Sequence, residues 1–108
     1  MTPGTAQVTA TSAGLYQVLT LNDDRDLTFN QLLGINNEGK IVGYFGSGDA
    51  GHPNKGYALS APYAQGDFGS ENFPGSAQTQ ITAINDEGIS VGFYTDAKGN
   101  TDGFAGLP

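Results

Sequence analysis

His52 is the only histidine, and imidazole is the side chain best suited to proton transfer near neutral pH. It sits in Gly48-Asp49-Ala50-Gly51-His52-Pro53-Asn54-Lys55-Gly56, three residues after a carboxylate. A catalytic histidine needs a held nucleophile, and a metal centre needs further ligands. Asp49 alone supplies neither, so the plain reading is a solvated loop residue. Asn22-Asp23-Asp24-Arg25-Asp26 is the densest charge cluster. Three carboxylates beside one guanidinium suit Ca²⁺ or a cationic or hydroxylated ligand, against the simpler reading of a solvated turn after an N-terminal strand. Asp96 opens Asp96-Ala97-Lys98-Gly99-Asn100-Thr101-Asp102, which alternates oxygens as a calcium loop does but places Lys98 where such a loop needs Asp or Asn. A polar hairpin fits it better. Tyr63 and Tyr94 are expected nearer a rim than the other aromatics, where a sugar ring could stack on them. The ligand-binding candidates are therefore Arg25, Asp26, His52, Tyr63, Tyr94 and Asp96. No catalytic residue, metal ligand or cofactor is expected: Gly46-Ser47-Gly48 lacks the nucleophile-elbow pattern, and no glycine-rich phosphate loop precedes a helix.

Composition narrows the partners. The 108 residues carry eleven acidic and four basic side chains, a net charge of −7. Nucleic acid demands cations at its phosphates, and Arg25, Lys40, Lys55 and Lys98 are too few and too scattered; an anionic membrane surface is disfavoured for the same reason. With no Cys, disulfides and thiolate-bound zinc are impossible. Met1 to Ala10 has neither a basic start nor an apolar core, so no signal peptide is expected.

An internal repeat organises the chain. Residues 31–45 read QLLGINNEGKIVGYF and residues 80–94 read QITAINDEGISVGFY, with seven of fifteen positions identical at an offset of 49. Chance at this composition gives roughly one. Lys55-Gly56-Tyr57-Ala58 resembles Asp102-Gly103-Phe104-Ala105 further on. Short β-branched segments, 32–36 and 81–85, lead into Asn-Asn-Glu-Gly and Asn-Asp-Glu-Gly, which suit a type I turn closed by a glycine bulge. Second strands follow over 40–45 and 89–95, third strands begin near Gly56 and Gly103, and a fourth spans about 67–73. Glycine density argues against helices.

The fold expected is all-β, with two four-stranded β-propeller-type blades per chain. Val42 and Tyr44 point to one face and Ile41 and Phe45 to the other, so each sheet is apolar on both sides and wants a neighbour on each. The single domain, 1–108, divides into a closing strand within 15–28, a first blade over 29–77 and a three-stranded second blade over 78–108.

At Gly34-Ile35-Asn36 through Gly43-Tyr44, Gly56-Tyr57 and Pro74-Gly75, and again at Ile84-Asn85 through Gly92-Phe93 and Gly103-Phe104, the chain resembles the bacterial HAF-type extracellular repeats. Ala83 and Ser90 depart from the pattern. The resemblance implies blade-like repeats and a secreted setting, and no particular reaction.

Propellers need about four to eight blades, and one chain supplies two. Closure must then occur between copies, with Leu15–Asn22 of each chain completing its neighbour's second blade. A homotrimer forming a six-bladed ring is the favoured assembly. The function expected is non-enzymatic, a lectin-like module binding carbohydrate or another surface ligand at repeated sites. The alternatives are a structural propeller building block, or a fragment of a longer propeller, without its own ligand, and a small enzyme with a site in the axial channel or at a subunit seam.

Overall fold

The structure is a computed structural model that describes residues 7–13 and 16–108, with side chains from residue 17 onward. The described strands are β1 (Gln7–Ala13), β2 (Tyr16–Thr20), β3 (Asn30–Ile35), β4 (Ile41–Phe45), β5 (Lys55–Leu59), β6 (Phe68–Ser70), β7 (Gln78–Ile84), β8 (Ser90–Thr95) and β9 (Thr101–Gly106). One 3₁₀ turn, Gln65–Asp67, precedes β6. The fold is all-β. β3-β4-β5-β6 form one antiparallel sheet, β7-β8-β9 a second, and β1-β2 a separate hairpin.

The strand expected within Leu15–Asn22 is present over Tyr16–Thr20, where it pairs with β1, a partner not anticipated from the sequence; Leu15 lies outside the described residues. β1 reads QVTATSA, with a single large apolar residue, and so gives little periodic signal. Leu21 and Asn22 leave the strand, and Leu21 packs on the core of the first sheet.

Both larger sheets are built alike. Each first hairpin closes on a glycine with positive φ, Gly39 at 79° and Gly88 at 80°. The opening Asn folds its carboxamide back onto two main-chain N–H groups: Asn36 Oδ1 accepts from Glu38 and Lys40, and Asn85 Oδ1 from Glu87 and Ile89. That satisfies the turn locally and fixes the register of both strands. The pairing then slips by one residue between Leu32 and Gly34 in the first sheet, and between Ile81 and Ala83 in the second. These bulges lie 49 residues apart.

The first sheet has two apolar faces, as alternation requires. Ile41, Phe45, Tyr57, Leu59 and Phe68 form the main core cluster, covered by Leu21 and Tyr63. Val42, Tyr44, Gly56 and Ala58 share the opposite face, and β7 lies across it. A Cβ on Gly56 would meet Ile81 Cγ1 at 2.8 Å and Thr79 Cγ2 at 3.3 Å. The join is also polar: Thr79 N–H donates to the Asn54 carbonyl, and Gln80 Nε2 donates to Asn54 Oδ1.

The two sheets are not equally covered. Val42 and Ile81, which face this join, are both 0% exposed, whereas their counterparts 49 residues away, Val91 and Leu32, are 44% and 42% exposed. Full burial of such a side chain contributes about 1.5–3 kcal/mol, and Val91 and Leu32 forgo much of that. Phe93, on the Val91 face, is also exposed. Hollows open beside each bare face, one of about 350 Å³ lined by Leu32, Leu33, Gly34, Ile35 and Ile41, the other of about 200 Å³ lined by Ala83, Ile84, Asn85, Ile89 and Val91.

Ser90 replaces the Ile41 of the first sheet. Its buried hydroxyl donates to the Glu71 carboxylate, and the paired Gly106 leaves room for both groups. The substitution thus exchanges an apolar contact for a satisfied polar one.

Candidate functional site

The acidic cluster is split by its own guanidinium. Asp23 is buried, and its carboxylate accepts from Arg25 Nε at 3.0 Å on both oxygens, from Arg25 Nη2 at 2.6 Å and from the Arg25 main-chain N–H at 3.0 Å. A buried carboxylate needs such a charged partner. This corrects the solvated-turn expectation for Asp23: a cation two residues away lets the carboxylate turn inward. Arg25 Nη1 donates to Ser70 Oγ at 2.8 Å, and its guanidinium carbon lies 4.9 Å from the Phe45 ring centroid. The Asp23 bonds raise the Arg25 pKa further above its ordinary value. Asn30 holds the segment from beneath, accepting from Asp23 N–H and donating to the Asp23 and Asp26 carbonyls.

Asp26 turns the other way. Its Oδ1 accepts from the Thr28 hydroxyl at 2.6 Å and the Thr28 N–H at 3.0 Å, and its Oδ2 lies 2.9 Å from His52 Nδ1. The Thr28 bonds, with a smaller contribution from His52, hold the Asp26 carboxyl down at about 2. An ionised carboxylate only accepts, so Nδ1 carries the proton in this pair and a neutral imidazole presents Nε2 as the acceptor. Among the described residues Nε2 has no hydrogen-bond partner, and the imidazole is half-exposed.

Removing the Thr28 hydroxyl tests this arrangement. Thr28→Val is expected to move the Asp26 pKa up from about 2 towards its ordinary 3.8, read by NMR titration of the carboxyl carbon. A folded pKa below the unfolded one gives stability that is present above about pH 4 and lost as pH falls towards 2. The variant should therefore lose less stability across that window.

Of the six candidates, the structure joins Asp26 and His52 directly, at the meeting of the 21–29 segment with the β4–β5 loop; Arg25, the chain neighbour of Asp26, turns its guanidinium to Asp23 and Ser70. The other three lie elsewhere and have structural partners. Tyr63, at φ 68°, donates its hydroxyl to the Gly39 carbonyl at 2.6 Å and packs on the core. Tyr94 stacks on Phe73 with centroids 3.8 Å apart and planes 2° from parallel, and Phe104 meets both edge-on. One face of the Tyr94 ring is thus used in packing, and both tyrosines are half-buried. Asp96 closes the β8–β9 turn, its Oδ1 accepting from the Lys98 and Asn100 N–H groups. These bonds, led by Asn100, lower its pKa.

Sequence reading missed Thr28 and Ser70 as partners of the cluster. The Asp26-x-Thr28 spacing carried a signal for the first, since an Asp side chain reaches back to the residue two further on; Ser70 comes from β6 and carried none. Chemically, the cluster is half of a proton-transfer device. Asp26 orients His52 as an acid orients a catalytic base, but Ser47, the nearest hydroxyl in that loop, bonds to Asp49 Oδ2 at 3.4 Å. Among the described residues no three His, Asp or Glu side chains converge on a possible metal position. What the cluster offers is a fixed set of donors and acceptors at the surface. Comparisons of this chain with protein-family models, with curated proteins and with solved structures find no match.

Proposed function

We propose that this chain is a non-enzymatic binding module that joins head to tail with copies of itself into a β-propeller ring, and that each copy presents the Arg25–Asp26–His52 cluster to a hydroxylated ligand of the carbohydrate class. The carrying observation is the inequality of equivalent residues. Within the chain, the Val42 face of one sheet covers the Ile81 side of the next; of the same two surfaces at the outer sides, Val91 is bare, and Leu32 is bare along β3 although Leu21 and Tyr63 pack on the rest of that face. A second copy supplies what each bare surface lacks. Unlike surfaces that meet in this way make heterologous contacts, which close as rings when the rotation permits.

Three copies make six sheets, within the range of about four to eight that closes. β9 has no partner on its outer edge among the described residues, and the counterpart of β6 is the end of β2 and Leu21, 49 residues earlier. Exchange of that segment completes the second sheet. The HAF-type likeness supports an extracellular setting, where several weak sites on one ring gain by multivalency. The Asp26–His52 pair favours a second reading, a seam enzyme in which a neighbouring copy brings the nucleophile to Nε2.

Light scattering tests the assembly: a trimer of the 11.2 kDa chain weighs about 34 kDa. A glycan screen with the assembled ring should then find a ligand whose retention falls at least tenfold in His52→Ala, which removes the exposed imidazole and leaves the Arg25–Asp23 pair intact, the order of a lost hydrogen bond with its partner left unpaired. A folded 11.2 kDa monomer at all concentrations removes the ring, and an intact ring that retains no glycan removes the lectin-like part.

A further inference from the structure

Resting on the ring reading, we infer where its axis runs and which hydrogen bond closes the seam between copies: the Asn85 side-chain amide donates to the Asn36 carbonyl of the next copy. The observation is that equivalent residues of the two sheets touch one another. Asn36 Nδ2 donates to the Asn85 carbonyl at 3.1 Å. Asn37 donates through its main-chain N–H at 2.7 Å, and through Nδ2 at 2.6 Å, to the two carboxylate oxygens of Asp86. The position that a Gly34 Cβ would take is 2.9 Å from Ala83 Cα. All three pairs are separated by 49 residues.

Two bodies related by rotation have their equivalent points closest together beside the axis and farther apart away from it. Contact between these three sets of equivalents therefore places the axis beside Gly34–Asn37 and Ala83–Asp86, the ends of β3 and β7 with their turns. It also means that one sheet is carried to the next with little slip along the axis. A further step of the same kind brings the β7–β8 turn of one copy against the β3–β4 turn of another, and the row comes round on itself as a ring with no screw rise.

The groups needed at that seam are present. Neither Asn85 Nδ2 nor the Asp86 N–H has a hydrogen-bond partner among the described residues, and the Asn36 carbonyl, which accepts from Gly39 within its own turn, has a second lone pair. The Asn85 carbonyl already shows both uses together, accepting from Gly88 and from Asn36. In the seam, Asp86 N–H donates to Asn37 Oδ1 of the next copy. Ala83 carries the methyl that Gly34 lacks, so the seam between copies opens slightly wider at that level than the join within the chain.

Asn85→Asp separates the seam from the fold. The new carboxylate keeps both turn bonds, as Asp96 does in the β8–β9 turn of this same chain, while the seam loses the amide donor and gains a negative charge beside Asp86, both of which oppose it. Self-association, followed by sedimentation velocity over a range of concentrations, should weaken at least about tenfold while the circular dichroism spectrum stays unchanged. Asn36→Asp serves as the control: it removes the donor of the join within the chain and should lower thermal stability even under dilute, monomeric conditions. A wild-type chain that never associates overturns the ring reading itself. A ring that forms equally well with Asn85→Asp overturns the seam assignment alone, whereas a wild-type mass that climbs without limit signals a screw operation and overturns the ring and the seam together. If Asn85→Asp does not fold, Asn85→Ser, which keeps an oxygen for the turn and shortens the donor's reach, is expected to give the same tenfold loss; unchanged association in that variant overturns the assignment.

Discussion

Val91→Lys is expected to yield a folded 11.2 kDa monomer under conditions where the wild-type chain weighs about three times as much. Val91 is already 44% exposed, and its neighbours across the sheet are Ala83 and Ala105. A lysine there extends into solvent from a face that the isolated chain leaves bare, so the strand loses little. In the proposed ring that face is covered by the Leu32 side of the next copy, and burying an unpaired ammonium costs several kcal/mol. Self-association should fall by at least about a thousandfold. Val42→Lys, the same change at the equivalent position, has the opposite signature. Val42 is fully buried against the second sheet, so this variant should unfold or expose its core, visible as loss of the cooperative thermal transition. Analytical ultracentrifugation with a melting curve distinguishes the two; wild-type-like assembly of Val91→Lys would count against the face-to-face contact.

The second large effect concerns Gly43 and its counterpart Gly92. Each lies opposite a bulge, where the partner strand turns a carbonyl towards it. A methyl on Gly43 would sit on the Gln31 carbonyl oxygen and crowd the Tyr57 hydroxyl, and a methyl on Gly92 would sit on the Gln80 carbonyl oxygen. Main chain cannot move aside as a flexible side-chain tip can, so the pairing must part. Tyr57 is buried and donates its hydroxyl to that Gln31 carbonyl at 3.0 Å; burial also drives its pKa well above the ordinary value, so the phenol stays protonated and needs this acceptor. Gly43→Ala therefore combines overpacking with a stranded buried hydroxyl, at a cost of about 3 kcal/mol and on the order of 15 °C in Tm. Gly92→Ala faces Phe104 where the first sheet has Tyr57, lacks the second component, and should cost less. Equal losses from the two changes would show that the hydroxyl is not involved.

Much of the architecture could be read from residue types. Asn-x-Glu-Gly located both hairpins because Asn supplies the local acceptor and Gly the positive φ. The placing of Val42 and Tyr44 opposite Ile41 and Phe45 followed from the two-residue period alone. Strand limits were less legible: β3 and β7 begin at Asn30 and Gln78, earlier than their apolar residues suggest, because main-chain pairing continues through polar side chains. The 3₁₀ turn at Gln65–Asp67 had no periodic signal. At the candidate site, the Asp26–His52 pairing joins residues 26 apart and depends on how the β4–β5 loop folds back, which no local pattern encodes. Asp23 was misread because a run of charges looks solvated, although one member can be taken inward by its own cation. The packing of Tyr63 on the core and of Tyr94 on Phe73 was not legible, because an aromatic in a loop or near a strand end gives no sign of what its ring meets.

The two bare faces are unlike one another, and this has a consequence for mixtures. In the proposed ring, a variant spoiled on only one of them would still accept a normal molecule on the other but offer nothing to the molecule after it, and so act as a terminator. A minor proportion added to the normal population would then interrupt many growing rings, so damage confined to one residue on one surface would act dominantly.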